Sequence, residues 1–157
     1  ERYAKPVAKA IVAARTSAPF VSSAALTALI AKVIPFIPGK STGHPAKRVF
    51  QALRIEVNGE LEVLTETMPA AIRSLNVGGR ILVLAYHSLE DRIVKQAFAK
   101  GATSSAPVDL PIELPEHAPY LRLVVKGAEL ASEAEIQSNP RAASVRLRAV
   151  EKIRDAA

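Results

Sequence analysis

Six consecutive residues, His87-Ser88-Leu89-Glu90-Asp91-Arg92, set five polar side chains next to one another. An imidazole, a hydroxyl and two carboxylates at that spacing could orient a weak nucleophile and take a proton from it. The same residues could equally cap a helix, with Ser88 at its N-terminus and Glu90 and Asp91 favourable to the helix dipole. The Gly-x-Ser-x-Gly frame of a hydrolase elbow is missing around Ser88. A second cluster, Gly43-His-Pro-Ala-Lys47-Arg48, joins a proline suited to a first helical turn with two cations. Such a helix start attracts phosphate, or is simply solvated. A third, Asn139-Pro140-Arg141, reads as a turn carrying one cation. His44, His87 and His117 have no metal-ligand spacing, so no metal is expected. No glycine-rich dinucleotide loop and no Walker loop is present.

Apolar periodicity indicates what must position these groups. Residues 2–15 give one helical face, and a second helix is expected from Ser22 or Ser23 to before Pro35. A loop follows between residues 35 and 43. From His44 to Leu75, apolar residues step by three or four throughout. That regularity predicts one long helix carried through Asn58-Gly59, with Pro69 starting a second, short one. Arg80 to Tyr86 is a continuous apolar run of strand length, which reads as a strand covered on both faces in a parallel sheet. The His87–Arg92 cluster would then sit at the carboxyl end of that strand, where open α/β sheets bind their ligands. Residues 101–119 form a loop. Strands are expected at 120–125 and from Val145 to Ala149, with a short capped helix from Ser132 to Asn139 between them. Three strands do not close a doubly wound sheet, so Arg80–Tyr86 wants a neighbour.

Composition narrows the classes. The 157 residues are 49% hydrophobic, yet no apolar run nears the roughly 18 residues a membrane span needs. There is no cysteine, which excludes a disulfide framework and fits a cytoplasmic location. Twenty-one Lys and Arg against fifteen Asp and Glu give a charge of +6, suited to a polyanion. With no Trp and seven Phe and Tyr together, a multi-base stacking platform is not expected. The chain opens on Glu1 and enters a helical pattern directly, so truncation of a longer protein is expected.

Taken in order and spacing, Gly43-His-Pro-Ala-Lys-Arg-Val-Phe-Gln-Ala-Leu-Arg54, Gly78-Gly-Arg80, His87-Ser-Leu-Glu-Asp-Arg-Ile-Val-Lys95, Asn139-Pro-Arg-Ala142 and Leu147-Arg-Ala149 resemble the MraW family. The Leu-Pro segment around 110–115 is similar to actinobacterial members. The resemblance implies an S-adenosylmethionine-dependent enzyme that methylates N4 of a decoding-centre cytidine in small-subunit ribosomal RNA. It further implies a partial class I (Rossmann-like) α/β methyltransferase sheet with an inserted helical subdomain. Residues 1–40 would belong to the insert and 41–157 to the C-terminal half of the α/β domain. The family's donor-binding residues precede the part seen here, so no cofactor-binding residue is assigned. One departure is Ala143, where the family's tail has a second Arg.

On this resemblance His87, Ser88 and Asp91 are the candidate catalytic residues. Lys47, Arg48, Arg54, Arg92, Lys95 and Arg141 are the candidate phosphate contacts. Expected partners are small-subunit ribosomal RNA or the assembled subunit, with a homodimer through open sheet surface as a further expectation. The competing reading is a non-catalytic RNA-binding module of the same family.

Overall fold

A computed structural model describes residues 2–35, 43–107 and 114–156. Most of the loop expected between residues 35 and 43, and residues 110–113 of the Leu-Pro segment, lie outside them. The chain forms two compact units, Glu1–Gly59 and Glu60–Ala157.

The first unit is helical: α1 (Ala4–Ser17), α2 (Ser23–Val33) and α3 (Ala46–Asn58). Ser22 caps α2 as expected, its hydroxyl accepting from the Ala25 N–H at 3.3 Å. Val7, Ile30, Ile34 and Ala46 are the buried centre, with Ile11, Leu26 and Phe50 packed against them. The long helix expected from His44 to Leu75 is divided. Gly59 adopts φ +61°, the left-handed cap that glycine takes without a Cβ penalty, and α3 ends there. Pro69 starts nothing; it lies inside α4 (Glu60–Ser74). The apolar repeat continues across Gly59 because each helix needs its own buried stripe, so periodicity alone hides the joint.

The second unit continues with β1 (Arg80–Ala85), α5 (Ser88–Ala102), β2 (Leu121–Leu123), β3 (Glu129–Leu130) and α6 (Glu133–Ser138). A 3-10 turn (Pro140–Ser144) and β4 (Arg146–Lys152) complete it. Among the described residues β4 is central: β1, β2 and β3 all pair with it antiparallel, with Arg80 opposite Glu151 and Leu121 opposite Lys152. The parallel neighbour expected for Arg80–Tyr86 is therefore corrected to an antiparallel one. Since β1 and β2 both oppose β4, they run parallel to each other with α5 in the connection between them.

Burial along β1 also differs from the two-sided expectation. Ile81 and Val83 pack on a core of Met68, Ile72, Val94, Phe98, Leu121 and Val150. Leu82, Leu84 and Tyr86 point the other way and are 61%, 52% and 54% exposed. The unbroken apolar run is thus one covered face and one bare face. Glu151 ties the sheet across, accepting from Arg80 at 2.9 Å and from Arg122 at 2.8 Å. Those guanidiniums hold its carboxyl below the usual carboxylate range, Arg80 foremost.

Gly101 near the end of α5 is a packing glycine. A Cβ there would meet Leu121 Cδ1 at 2.6 Å and Tyr120 Cζ at 2.8 Å. Gly101→Ala is therefore expected to cost about 1–3 kcal/mol by overpacking. Urea unfolding of the two proteins measures it, and an unchanged midpoint would show that β2 simply moves aside.

Candidate active site

The His87–Arg92 cluster lies where β1 passes into α5. Chain geometry makes the turn: His87 is extended (φ −145°, ψ 163°) and the helix begins at Ser88. His87, not Ser88, is the N-cap. Its Nδ1 accepts from the Glu90 N–H at 3.3 Å, while Glu90 Oε2 accepts from the Tyr86 and His87 N–H groups at 2.8 and 3.1 Å. This is a capping box with an imidazole in the place usually held by a hydroxyl. Ser88 is left exposed on the first turn, and its hydroxyl has no partner among the described residues.

This cap assigns the imidazole's state. With Nδ1 accepting, the ring's single proton belongs on Nε2, an assignment that follows from the hydrogen-bond pattern. Nε2 is buried and lacks a hydrogen bond. Glu90 Oε1 lies 3.2 Å away, but off the line that a hydrogen bond needs. Glu60, at the start of α4, brings a third group: ligand-type atoms of Glu60, His87 and Glu90 lie within 4.8 Å of one another. The arrangement does not suit a metal as it stands. A cation on Nε2 would require an imidazolate or the loss of the helix cap.

Asp91 is held differently. Arg148 on β4 donates to both its oxygens, Nε at 2.7 Å and Nη2 at 3.2 Å, with both side chains only 15% exposed. Arg148 Nη1 also donates to the Gly127 carbonyl at 2.8 Å. The Arg148 hydrogen bonds, against some opposing desolvation, keep the Asp91 carboxyl below its ordinary value. Asp91 is thus an anion and a weak proton acceptor.

The structure gathers His87, Ser88 and Asp91 on one turn and sets Arg92 and Lys95 exposed along the same helix. Arg141 rides on the 3-10 turn, its N–H bonded to Asn139 Oδ1 at 3.2 Å. Lys47, Arg48 and Arg54 belong to α3 of the first unit, where the Ala46 N–H donates to His44 Nδ1 at 3.2 Å. Arg48 and Arg54 already interact within the protein. Beside the turn lies a cavity of about 250 Å³, lined by Leu84, Tyr86, Leu130, Glu135, Asn139 and Leu147 among others. Sequence reasoning missed Glu60, Arg148 and the capping role of His87. His-x-x-Glu spacing could have revealed the last; nothing local points to Arg148, which lies 57 positions from its partner.

No helix among the described residues is long and apolar enough to cross a membrane. A model described as the MraW methylase family matches residues 1–153. A curated relative from Saccharopolyspora erythraea, named ribosomal RNA small subunit methyltransferase H, is 59% identical over 156 residues, covering 99% of this chain and 47% of its own. Relatives of the same name from Kocuria rhizophila and Clavibacter sepedonicus are 54% and 58% identical. They cover 99% and 98% of this chain, and 47% and 48% of their own. The chain spans about half the length of the curated relatives it matches. With every signature segment from Gly43 to Ala149 inside the matched residues, the chain belongs to the MraW methylase family.

Proposed function

We propose that the chain is the C-terminal half of an S-adenosylmethionine-dependent methyltransferase that acts on small-subunit ribosomal RNA, at the exocyclic N4 amine of a decoding-centre cytidine. The observation that carries this reading is the polar turn His87–Asp91 at the carboxyl end of β1, in a chain matched along nearly its whole length by the family. A partial class I sheet is supported by β1 and β2 running parallel on either side of the antiparallel β4. The bare Leu82 supports it too, as surface for the rest of that sheet's domain or for a second copy. Residues 1–40 would be part of an inserted helical subdomain.

When bound, S-adenosylmethionine supplies an electrophilic methyl group; the 157 residues contain no glycine-rich donor loop, so none of them is assigned to it. The receiving amine is a poor nucleophile because its lone pair is conjugated into the ring, so the protein's task is mainly to orient it. Ser88 is the member of the candidate trio free to touch the base. His87 and Asp91 fix the turn that presents it, one by capping α5 and the other through Arg148. In the full-length protein, Ser88→Ala is expected to lower turnover severalfold with no change in Tm. Turnover equal to the parent would remove Ser88 from the site.

The cations Lys47, Arg48, Arg54, Arg92, Lys95 and Arg141 are proposed to contact RNA phosphates, on bare RNA or in the assembled subunit. Reversing Arg92, Lys95 and Arg141 to Glu should weaken RNA binding at least about tenfold and flatten its salt dependence by about one phosphate per residue. An unchanged salt slope would sink the assignment. The net charge of +6 also fits a second reading, a non-catalytic RNA-binding module. Methyl transfer to ribosomal RNA by the full-length protein excludes that reading, and RNA binding without transfer supports it.

A further inference from the structure

The cavity beside Tyr86 has a chemistry the turn itself lacks. β1 ends at Ala85 and β4 begins at Arg146 directly opposite, so this is the same sheet edge as the His87–Asp91 turn. The segment from β3 through α6 to the 3-10 turn closes the cavity's other side. Leu84 and Leu130 give it an apolar lining, and Tyr86 stands 54% exposed at its mouth with no bond to its hydroxyl among the described residues. Two polar groups complete it. Asn139 spends its Oδ1 on the Arg141 N–H, leaving its amide NH₂ without a partner among the described residues. Glu135 spends Oε2 on Ser132, from both the backbone N–H and the hydroxyl, and leaves Oε1 unbonded.

An aromatic face, an apolar slot, one amide donor and one carboxylate acceptor complement a base with an exocyclic amine beside a ring-nitrogen acceptor, as cytosine and adenine have; the methyl-transfer reading selects cytosine. Cytosine's pairing edge offers an amine donor beside ring-nitrogen and carbonyl acceptors. Uracil offers a carbonyl where cytosine has the amine, and would set an oxygen against Glu135. A volume of about 250 Å³ takes one base and not a whole nucleotide chain. Bases that undergo chemistry are held out of the stack in such slots, between apolar or aromatic groups and edge-reading polar ones.

We infer that this cavity receives the target cytosine, with Tyr86 as its stacking surface, the Asn139 amide as donor to its acceptor edge and Glu135 as acceptor for its amine. The inference rests on the methyl-transfer reading and adds specificity residues to it. The alternative occupant of this face is protein: Leu84 and Tyr86 could be covered by other parts of the full-length molecule.

The test uses the full-length protein, methyl transfer to small-subunit ribosomal RNA, and thermal unfolding in parallel. Asn139→Asp keeps the oxygen that bonds the Arg141 N–H while removing the amide donor. It is expected to lower kcat/KM at least tenfold with Tm unchanged. Tyr86→Ala should do the same, and Tyr86→Phe should restore activity, because stacking needs the ring and not the hydroxyl. Wild-type activity in both Asn139→Asp and Tyr86→Ala would overturn the inference while leaving methyl transfer standing. A Tyr86→Ala protein that loses Tm in proportion to activity would assign Tyr86 to packing and overturn it as well. A parent protein with no methyl transfer fails the underlying reading instead.

Discussion

Asp91→Ala is expected to cost about 3 kcal/mol of stability, and to lower turnover of the full-length protein by at least about tenfold. Removing the carboxylate leaves the Arg148 guanidinium, 15% exposed, facing a gap it cannot fill. Breaking a fully buried pair from one side costs about 3–5 kcal/mol, and the residual exposure of this one places it at the lower end. The double variant Asp91→Ala/Arg148→Met should recover part of the stability, since no uncompensated charge then remains. It should not recover turnover, because the first turn of α5 is no longer tied to β4. Urea unfolding of both variants decides the first point, and equal stability of the single variant and the parent would show the pair to be ornamental. The pair also sets an acid limit. Asp91 is held below its ordinary value of 3.8, so its contribution is whole above that value and is lost as pH falls through the lower, folded one. Between pH 5 and 8 Asp91 should therefore contribute no pH dependence at all.

Residues 1–157 should show no saturable binding of S-adenosylmethionine, whereas the full-length protein should bind it one to one. The expectation follows from the residues present: among the described residues no glycine-rich loop follows a strand, and β1 leads into His87-Ser88 instead. Calorimetric titration measures it, with circular dichroism to establish that the chain is folded. Saturable binding by these residues alone would mean that they carry a donor site of their own, and the half-enzyme reading would fall.

Much of the fold was legible wherever local chemistry decides it. Ser22 and the Ser132–Glu135 box start their helices as their types require, and the segment leading into α5 reads as a strand followed by a helix. The errors fall where distant partners decide. Gly59 breaks a helix inside an uninterrupted apolar repeat, since both flanking helices bury the same kind of stripe. The run from Arg80 to Tyr86 is equally apolar on its covered and bare faces, so composition could not distinguish one-sided from two-sided cover. β3, two residues long, offers no alternation to read. At the candidate site the residue types were legible and their duties were not. Ser88 and His87 exchange places as cap and free group because an imidazole nitrogen accepts an N–H as well as a hydroxyl oxygen does. Asp91's role depends on Arg148, which alternation marks only as one of two cations on a wetter strand face.

The position of β4 has a consequence for how the protein is made. Every strand of the described sheet pairs through it, yet it is the last of the four in the chain; Arg80 waits for Glu151, 71 residues later. Until residues 146–152 have left the ribosome, β1 and β2 have no common partner, and the backbone edge of β1 that pairs with β4 is bare. At a synthesis rate of about 5–20 residues per second, that exposure lasts several seconds at least. A nascent chain halted before Arg146 should therefore be a strong client for chaperones, and one halted beyond Lys152, with the strand clear of the exit tunnel, a weak one.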